Sequence, residues 1–530
     1  MDDEMASISE VVRTIAGIDP QREALVFEGR RTTYAEMHAE ADVVADALLS
    51  NGLSQGDRWA YLGGNSDRFF IFLLGAIRSG TCLVPVNWRL SEPEARFIIE
   101  DSQAKLIFAD RPNMPMGISL AQAAALPDAI PIEGDNGRVS AEYEAWLKSG
   151  SGAALPLSED PSASFIQLYT SGTTGQPKGV LITNGSYTGH LERLSKIANR
   201  SIRPIAEDVN LLSMPVFHVS GTGIGLETLH PGGKLVITRF FSLKDSLHLI
   251  SSERITRTFL VPAALKMMLD NEDIKQFDLT SLINIQYGGG PISRELRDQA
   301  WSVMSCGFAQ YYGMTETAGN ISALEAEMGE DQGAKRSHSV GRPLPGTNVR
   351  IVGDKGDVMP VGETGEIQVQ AISNTVGYWN RPEANAELFA NDGWLRTGDI
   401  GELDEDGFLY IRGRLKDMII SGGENIYPKE VESVIDTHPD VDDVAVIGVP
   451  DLKWGEAVCA FVIAKPGHDL ADLQLLEWLQ PRLAGYKIPR HVCFVTEFPR
   501  TASGKVKSTD LRSWWADMQA AVANDSQGFA

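Results

Sequence analysis

At 530 residues the chain is longer than one hydrophobic core normally supports, so two or more domains are expected. Its 43% apolar and 22% charged content is that of a soluble globular enzyme, and a formal net charge of −24 excludes the basic surface a nucleic-acid-binding protein needs. The longest apolar run, Phe69 to Ile77, ends at Arg78 and is far too short to span a bilayer.

The four cysteines, Cys82, Cys306, Cys459 and Cys493, form neither a C-x-x-C pair nor a metal-binding spacing, and read as reduced thiols. The opening Met1-Asp2-Asp3-Glu4 is acidic and lacks the features of a signal peptide, so a cytoplasmic protein is expected.

In chain order, residues 8–16 read as a short helix and Ala24–Phe27 as a strand followed by a tight turn. Thr33 caps a helix running to about Ser50, with Gly52 beyond its end. A strand at Arg58–Leu62, a helix at Asp67–Arg78 and a strand at Thr81–Val86 follow. Ser91 with Glu94 makes a capping box for a helix to about Asp101, and Ala104–Phe108 is the next strand. Alternation of this kind predicts parallel βαβ units. Arg111–Pro161 reads as irregular variable surface.

Beyond it, strands are expected at Ser164–Tyr169, Val180–Ile182, Lys234–Thr238, Thr256–Val261 and Asn284–Tyr287, and helices at Leu243–Ser251 and Pro262–Leu269. From Val340 to Arg412 short β-runs broken by Gly and Pro predict a smaller β-rich subdomain. Past Asp417 the pattern is α+β: a helix at Lys429–Thr437, strands at Val444–Val449 and Ala457–Ile463, a helix at Leu470–Arg482 and a strand at Val492–Val495. The small, polar tail beyond Asp517 is expected to fray.

The stretch Thr170-Ser171-Gly172-Thr173-Thr174-Gly175-Gln176-Pro177-Lys178-Gly179 cannot pack a core. Its glycines allow a sharp turn and close approach of backbone N–H groups to an anion, its hydroxyls add donors, and Lys178 adds a charge. The pattern suits a polyphosphate, yet it is not a Walker loop: Gly179 follows Lys178 where a magnesium-binding Ser or Thr should stand, and no clear helix follows.

Four further motifs lie downstream: Tyr311-Tyr312-Gly313-Met314-Thr315-Glu316, Gly393-Trp394-Leu395-Arg396-Thr397-Gly398-Asp399, Met418 to Pro428 with Gly422-Gly423 at its centre, and Pro499 to Lys505. A Tyr-Gly turn, a strand-end Asp or a lysine in a Gly/Ser loop is structural in most sequences when it stands alone. Together and in this order, over nearly the whole chain, these motifs resemble those of the AMP-forming adenylate-forming enzymes: acyl-CoA synthetases, peptide-synthetase adenylation domains and firefly luciferase. Bacterial fatty-acid and aryl-acid CoA ligases are the most similar.

The resemblance implies an α/β fold, with a large N-terminal domain over 1–415 built of two αβ-layered sheets and a β-rich subdomain at about 340–413. A small, mobile α+β C-terminal domain over 416–530 is implied to rotate about Lys416 as hinge. It implies that Thr170, Ser171, Gly172, Thr173, Thr174 and Lys178 hold the phosphates of ATP. Gly289, Gly290, Pro291, Tyr312, Gly313 and Met314 would then surround adenine, and Thr315 would bond the α-phosphate. Glu316 would hold Mg²⁺, a hard cation that takes carboxylate and phosphate oxygens. Asp399 would accept the ribose hydroxyls, with Arg414 beside it. Lys505 would bridge the substrate carboxylate and the α-phosphate, and Gly422 and Gly423 would line the thiol channel.

His218, in Met214-Pro215-Val216-Phe217-His218, stands beside apolar residues and fits either a satisfied core histidine or a residue next to the carboxylate. The resemblance favours the second. Gly221, Gly289 and Met314 would line the acyl pocket with it, and Gly221, Gly223 and Gly225 would leave room for a chain or ring. Arg89, Trp454, Lys487 and Arg490 fall near coenzyme A positions of relatives, though surface ion pairs account for them equally.

The implied reaction is carboxylic acid plus ATP to acyl-AMP and pyrophosphate, then thiolysis by coenzyme A with release of AMP. A medium- or long-chain fatty acid is the leading substrate. An aryl or arylpropenoic acid, or loading of a carrier protein, is the alternative. A monomer or homodimer is expected.

Overall fold

The computed structural model describes the chain apart from residues 1–5, 135–137, 154–159, 171–175, 201, 289–293, 327–335, 337, 416, 422–423, 452, 469, 502–504 and 528–530. It divides into two compact units. The larger comprises residues 1–337, 341–348 and 369–395, the smaller 338–340, 349–368 and 396–530. The β-rich stretch is therefore divided about evenly between the two units, although chain order groups it with the N-terminal part.

The larger unit contains two sheets. Among the described residues one has nine strands, in the order Arg342–Pro343, Gly319–Ala326, Gly307–Met314, Asn284–Gly288, Arg257–Phe259, Val209–Leu212, Lys234–Ile237, Glu23–Phe27, Arg30–Thr33. Its six central strands are parallel, and antiparallel strands close both edges. The other has seven, in the order Gly377–Tyr378, Lys178–Thr183, Ser164–Thr170, Cys82–Val86, Arg58–Leu62, Ile107–Ala109, Ile130–Pro131.

Between them runs the helix Asp67–Ser79, every residue of which is buried. Its aromatic and aliphatic side chains join Leu25, Phe27 and Leu235 of the first sheet to Trp59, Leu83 and Ile166 of the second in one core. Burying charge on such a helix requires partners. Asp67 takes Arg30 at 2.9 Å, Arg68 takes Glu40 at 2.6 Å, and Arg78 takes Asp42 at 2.9 Å.

The smaller unit holds a four-stranded sheet (Thr347–Val352, Gly365–Ala371, Leu395–Leu403, Leu409–Arg414) and a five-stranded one built on the hairpin Val441–Asp451 with Gly455–Ala464. The helices Pro428–Ile435 and Asp472–Leu479 pack on one side of that hairpin. On the other side Phe498, Leu511 and Trp514 form a second core.

Most predicted elements are present, and the capping boxes at Thr33 and Ser91 form as expected. Three expectations need correction. The 111–161 stretch carries the helices Met114–Ala123 and Ala141–Leu147, which bury Leu120, Tyr143 and Trp146. Their apolar faces are only two or three residues wide, too narrow for periodicity to reveal. A helix, Asn184–Ser195, does follow the phosphate-loop hairpin, capped by Thr183. The strand Lys178–Thr183 still separates it from the loop, so the geometry is not that of a Walker loop. The C-terminal tail continues as the helix Ser508–Gln527.

The deepest ion pair of the larger unit is Arg257 with Asp208, at 2.8 Å and each only 1% exposed. Arg257 also donates to the carbonyls of Arg200 and Arg203, and Asp208 accepts from the N–H of Ile205. Removing one partner strands a buried charge. Asp208→Ala is expected to cost about 3–5 kcal/mol, read as a lowered urea midpoint for the larger unit's transition.

Candidate active site

The larger unit brings Lys178 and Glu316 together around a residue the sequence did not reveal. Lys178 opens the strand Lys178–Thr183, paired to Thr170 across the hairpin from Ser164–Thr170. Gly179 sits where a Cβ would lie 2.3 Å from Gln167 Nε2, so a side chain there would displace the Gln167 amide. Against its outer edge lies the two-residue strand Gly377–Tyr378, with Tyr378 opposite Val180. The Tyr378 hydroxyl donates to Glu316 Oε1 at 2.8 Å, and Lys178 Nζ stands 5.1 Å from the centre of the same ring. Thr375 completes the join: its N–H donates to the Glu316 carbonyl at 2.8 Å and its hydroxyl to the Leu181 carbonyl.

Glu316 is 7% exposed. Burial, reinforced by the Glu316 charge, pushes the Tyr378 hydroxyl well above its ordinary pKa, so it remains a donor throughout the physiological range. One phenol thus ties the phosphate-loop lysine to the acid expected to carry the metal. The signal was available only in hindsight, because Gly377-Tyr378-Trp379 lies about two hundred residues from Lys178 and has no spacing of its own.

Tyr312 is buried on the strand Gly307–Met314 and faces Ser322 across the ladder, with a register shift just beyond it. Gly313 is confined by the Gly319 carbonyl, 2.1 Å from where a Cβ would stand. Thr315, Glu316 and Thr317 form a single 3₁₀ turn closed by the Ala318 N–H on the Thr315 carbonyl. The Thr317 hydroxyl accepts from Met314 N–H and lies 2.7 Å from the Gly319 carbonyl. This fixes the order of side chains around Glu316.

His218 is the N-cap of the helix Val219–Leu229, and its ring packs at a tilt against Phe217, 4.6 Å between centres. The turn before it is anchored by Val216 N–H on Asn65. The three glycines that follow differ in purpose. At Gly221 a Cβ would meet the Pro215 carbonyl at 2.1 Å, and at Gly225 the Phe70 ring at 2.0 Å, so both serve close packing. Only Gly223 is in open contact, 3.6 Å from the Tyr187 hydroxyl and 3.7 Å from Glu227.

In the smaller unit Arg414 Nε pairs with Asp399 at 2.9 Å across adjacent strands. The Thr397 hydroxyl accepts from the Asp399 N–H and donates to the Ile367 carbonyl. Asp399 is 5% exposed, held with its carboxylate beside a guanidinium. Lys505 is exposed next to the bridge of Arg500 to Val506, and its carbonyl accepts from Thr501 N–H at 2.7 Å.

Arg490 and Lys453 both lie over the Trp454 ring, at 4.7 and 4.6 Å. Lys487 is occupied by Glu430 at 2.6 Å. Burial opposes the charge of Lys487, yet this hydrogen bond leaves its pKa raised. Arg89, in the larger unit, is exposed beside Trp88. Ser171, Gly172, Thr173, Thr174, Gly289, Gly290, Pro291, Lys416, Gly422 and Gly423 lie outside the described residues.

The family model of AMP-binding enzymes matches residues 12–379, and that of the AMP-binding enzyme C-terminal domain matches residues 430–505. The chain is 37% identical to a fatty acid–[acyl-carrier-protein] ligase of Streptomyces coeruleorubidus, covering 94% of this chain and 95% of the relative. It is 36% identical to an indoleacetate–CoA ligase of Aromatoleum aromaticum, over 95% and 97% respectively. The solved fatty acyl CoA synthetase of Mycobacterium tuberculosis superposes with a TM-score of 0.78 at 34% identity, over 98% of this chain and 100% of that one.

A hydrogen bond to a charged group contributes about 1.5–3 kcal/mol. Tyr378→Phe is therefore expected to weaken magnesium–ATP binding roughly tenfold or more in calorimetry, with little change in melting temperature. The chain belongs to the AMP-binding enzyme family, among its AMP-forming acyl- and aryl-CoA ligases.

Proposed function

We propose that this ligase activates a carboxylic acid with an apolar body and transfers it to coenzyme A in the cytoplasm, using the residues named above. The observation that carries the assignment is the Tyr378 join between Lys178 and Glu316. It sets a cation and a buried carboxylate around one phenol, an arrangement suited to a polyphosphate carrying a divalent ion.

Among the described residues no group of three His, Cys, Asp or Glu side chains is spaced to hold a metal by itself. Glu316 alone fits the requirement of magnesium, which keeps most of its positions for phosphate and water oxygens. An ion held by Glu316 would supply charge neutralisation for the departing pyrophosphate.

In the first half-reaction a carboxylate oxygen attacks the α-phosphorus, the bond to the β-phosphate breaks and pyrophosphate leaves. Two anions must converge, and a protein with a net charge of −24 does not assist them globally. Local cations must do so. Lys505 is the group we assign to the gap between carboxylate and α-phosphate, where its attraction strengthens as charge builds in the transition state. Lys178 and the hydroxyls of Thr170 and Thr315 hold the phosphates, Tyr312 stacks the adenine, and Asp399 with Arg414 takes the ribose. In the second half-reaction the thiol sulfur attacks the acyl carbon, loses its proton and expels AMP. We assign Gly422 and Gly423 to the thiol path, and Trp454 with Arg490 to the nucleotide end of coenzyme A, an aromatic face and a guanidinium suited to a base and its phosphates. Lys416 remains the assigned hinge, and His218 with Met314 the carboxyl end of the acyl pocket.

The two half-reactions separate experimentally. Lys505→Ala is expected to slow pyrophosphate release about 10²–10³-fold, while supplied acyl-AMP still yields thioester. Gly423→Leu is expected to do the reverse. Equal loss of both steps in each variant defeats the assignment of separate groups to the two steps. A free coenzyme A assay beside a phosphopantetheinylated carrier protein decides the acceptor.

A further inference from the structure

Behind the helix Val219–Leu229 lies a buried polar chain that none of the catalytic assignments uses. His190 is fully buried and Arg193 4% exposed, both on the helix Asn184–Ser195. Arg193 Nη2 stands 3.0 Å from His190 Nδ1, and His190 Nε2 stands 2.8 Å from Glu227 Oε1. A guanidinium only donates, so Nδ1 accepts, the ring proton sits on Nε2, and Nε2 donates to the carboxylate. Arg193 is fastened in turn by Thr347 and by Ser373 at 2.6 Å. Burial lowers its pKa to about 10, which leaves it cationic at neutral pH. Rotation of Glu227 is thereby prevented from two residues away.

The chain runs between Gly319, five residues after Met314, and Gly223, five residues after His218. Gly223, the one open glycine after His218, faces Glu227 Oε1 at 3.7 Å and the Tyr187 hydroxyl at 3.6 Å, measured from its Cβ position. Gly319, which follows the Glu316 turn with a φ of +125°, presents its own Cβ position 3.4 Å from the His190 ring. The Tyr187 hydroxyl is spent on the Gly223 carbonyl at 3.2 Å. The second carboxylate oxygen of Glu227 takes no donor among the described residues, and the side chain is 13% exposed. An oriented acceptor with spare capacity therefore stands beside Gly223 and the His190 ring.

Side chains on a helix lean toward its N-terminus, so the Glu227 carboxylate lies level with Gly223 rather than with its own Cα. Gly223 is five residues beyond His218, or ~8 Å along the axis. Resting on the acyl-pocket reading above, we propose that Glu227 is a specificity determinant of this ligase. It accepts a hydrogen bond from a hydroxyl or N–H group carried by the acid roughly 8 Å from its carboxylate. The preferred substrate is then a donor-bearing acid and not the plain medium- or long-chain fatty acid that was the leading expectation.

Pyrophosphate release by the full-length enzyme tests this with matched acids: 4-hydroxyphenylpropenoic against phenylpropenoic acid, and ω-hydroxyoctanoic against octanoic acid. The first pair probes an aromatic source of the donor and the second an aliphatic one. The wild type is expected to favour the donor-bearing member of at least one pair by about tenfold to a hundredfold in kcat/KM. Glu227→Leu is expected to abolish that preference while raising or preserving turnover of the plain acid. Glu227→Gln keeps an acceptor for His190 and covers the case in which the leucine variant does not fold. It is expected to reduce the preference by an intermediate factor.

Equal use of both members of both pairs overturns the inference, as does a preference that survives in a folded Glu227 variant. Absence of pyrophosphate with every acid would instead remove the ligase reading on which the inference rests, and the two failures are distinguished by the wild-type assay alone.

Discussion

The constraint on which the larger unit depends is the attachment of Gly377–Tyr378 to the edge of Lys178–Thr183. An edge strand next to a glycine- and hydroxyl-rich loop has little of its own to hold it in register. The short strand supplies the missing ladder, Thr375 links it to the Glu316 turn, and Trp379 N–H reaches the Gly179 carbonyl at 2.8 Å. The phenol of Tyr378 then converts backbone order into electrostatic order, because it places a buried carboxylate and a lysine at fixed distances from one ring. Groups held this way need not reorganise when charge develops between them, which is where most of the advantage of a folded site over solution lies.

The overall acidity of the chain makes that local order necessary. A field of the wrong sign surrounds any approaching nucleotide, so attraction has to come from individual cations and dipoles at short range, where screening is least effective. The interior follows the same logic. Asp67, Arg68 and Arg78 on the central helix are each matched, and Arg257 and Asp208 satisfy one another and the backbone around them. The Arg193–His190–Glu227 chain differs in that it ends in an oxygen with spare accepting capacity. Its position between the segments that follow His218 and Met314 is the reason to read it as recognition and not only as support.

Glycine illustrates how differently one residue type can be used within five positions. Gly221 and Gly225 are small because a carbonyl and an aromatic ring press against them, whereas Gly223 leaves ordinary contact distance to a hydroxyl and a carboxylate. A pocket drawn from glycine content alone is therefore too wide. The same lesson applies to the smaller unit, where Lys487 is committed to Glu430 while Arg490 is stacked on Trp454.

Sequence alone determined the parts whose chemistry is local. Alternating strands and helices, capping boxes at Thr33 and Ser91, and five motifs in a fixed order identified the α/β architecture and the reaction class, because hydrogen bonding within a turn and phosphate recognition by a loop depend on neighbours in the chain. The narrow-faced helices at Met114–Ala123 and Ala141–Leu147 escaped, since two or three buried residues make no legible period. Tertiary structure alone decided that Tyr378 meets Glu316 from 62 residues away, and that Glu227 is steered by His190 from 37. It also decided which glycines are open. A buried hydrogen bond between distant residues has no period and no spacing, and it exists only once packing has removed the water that would compete for it.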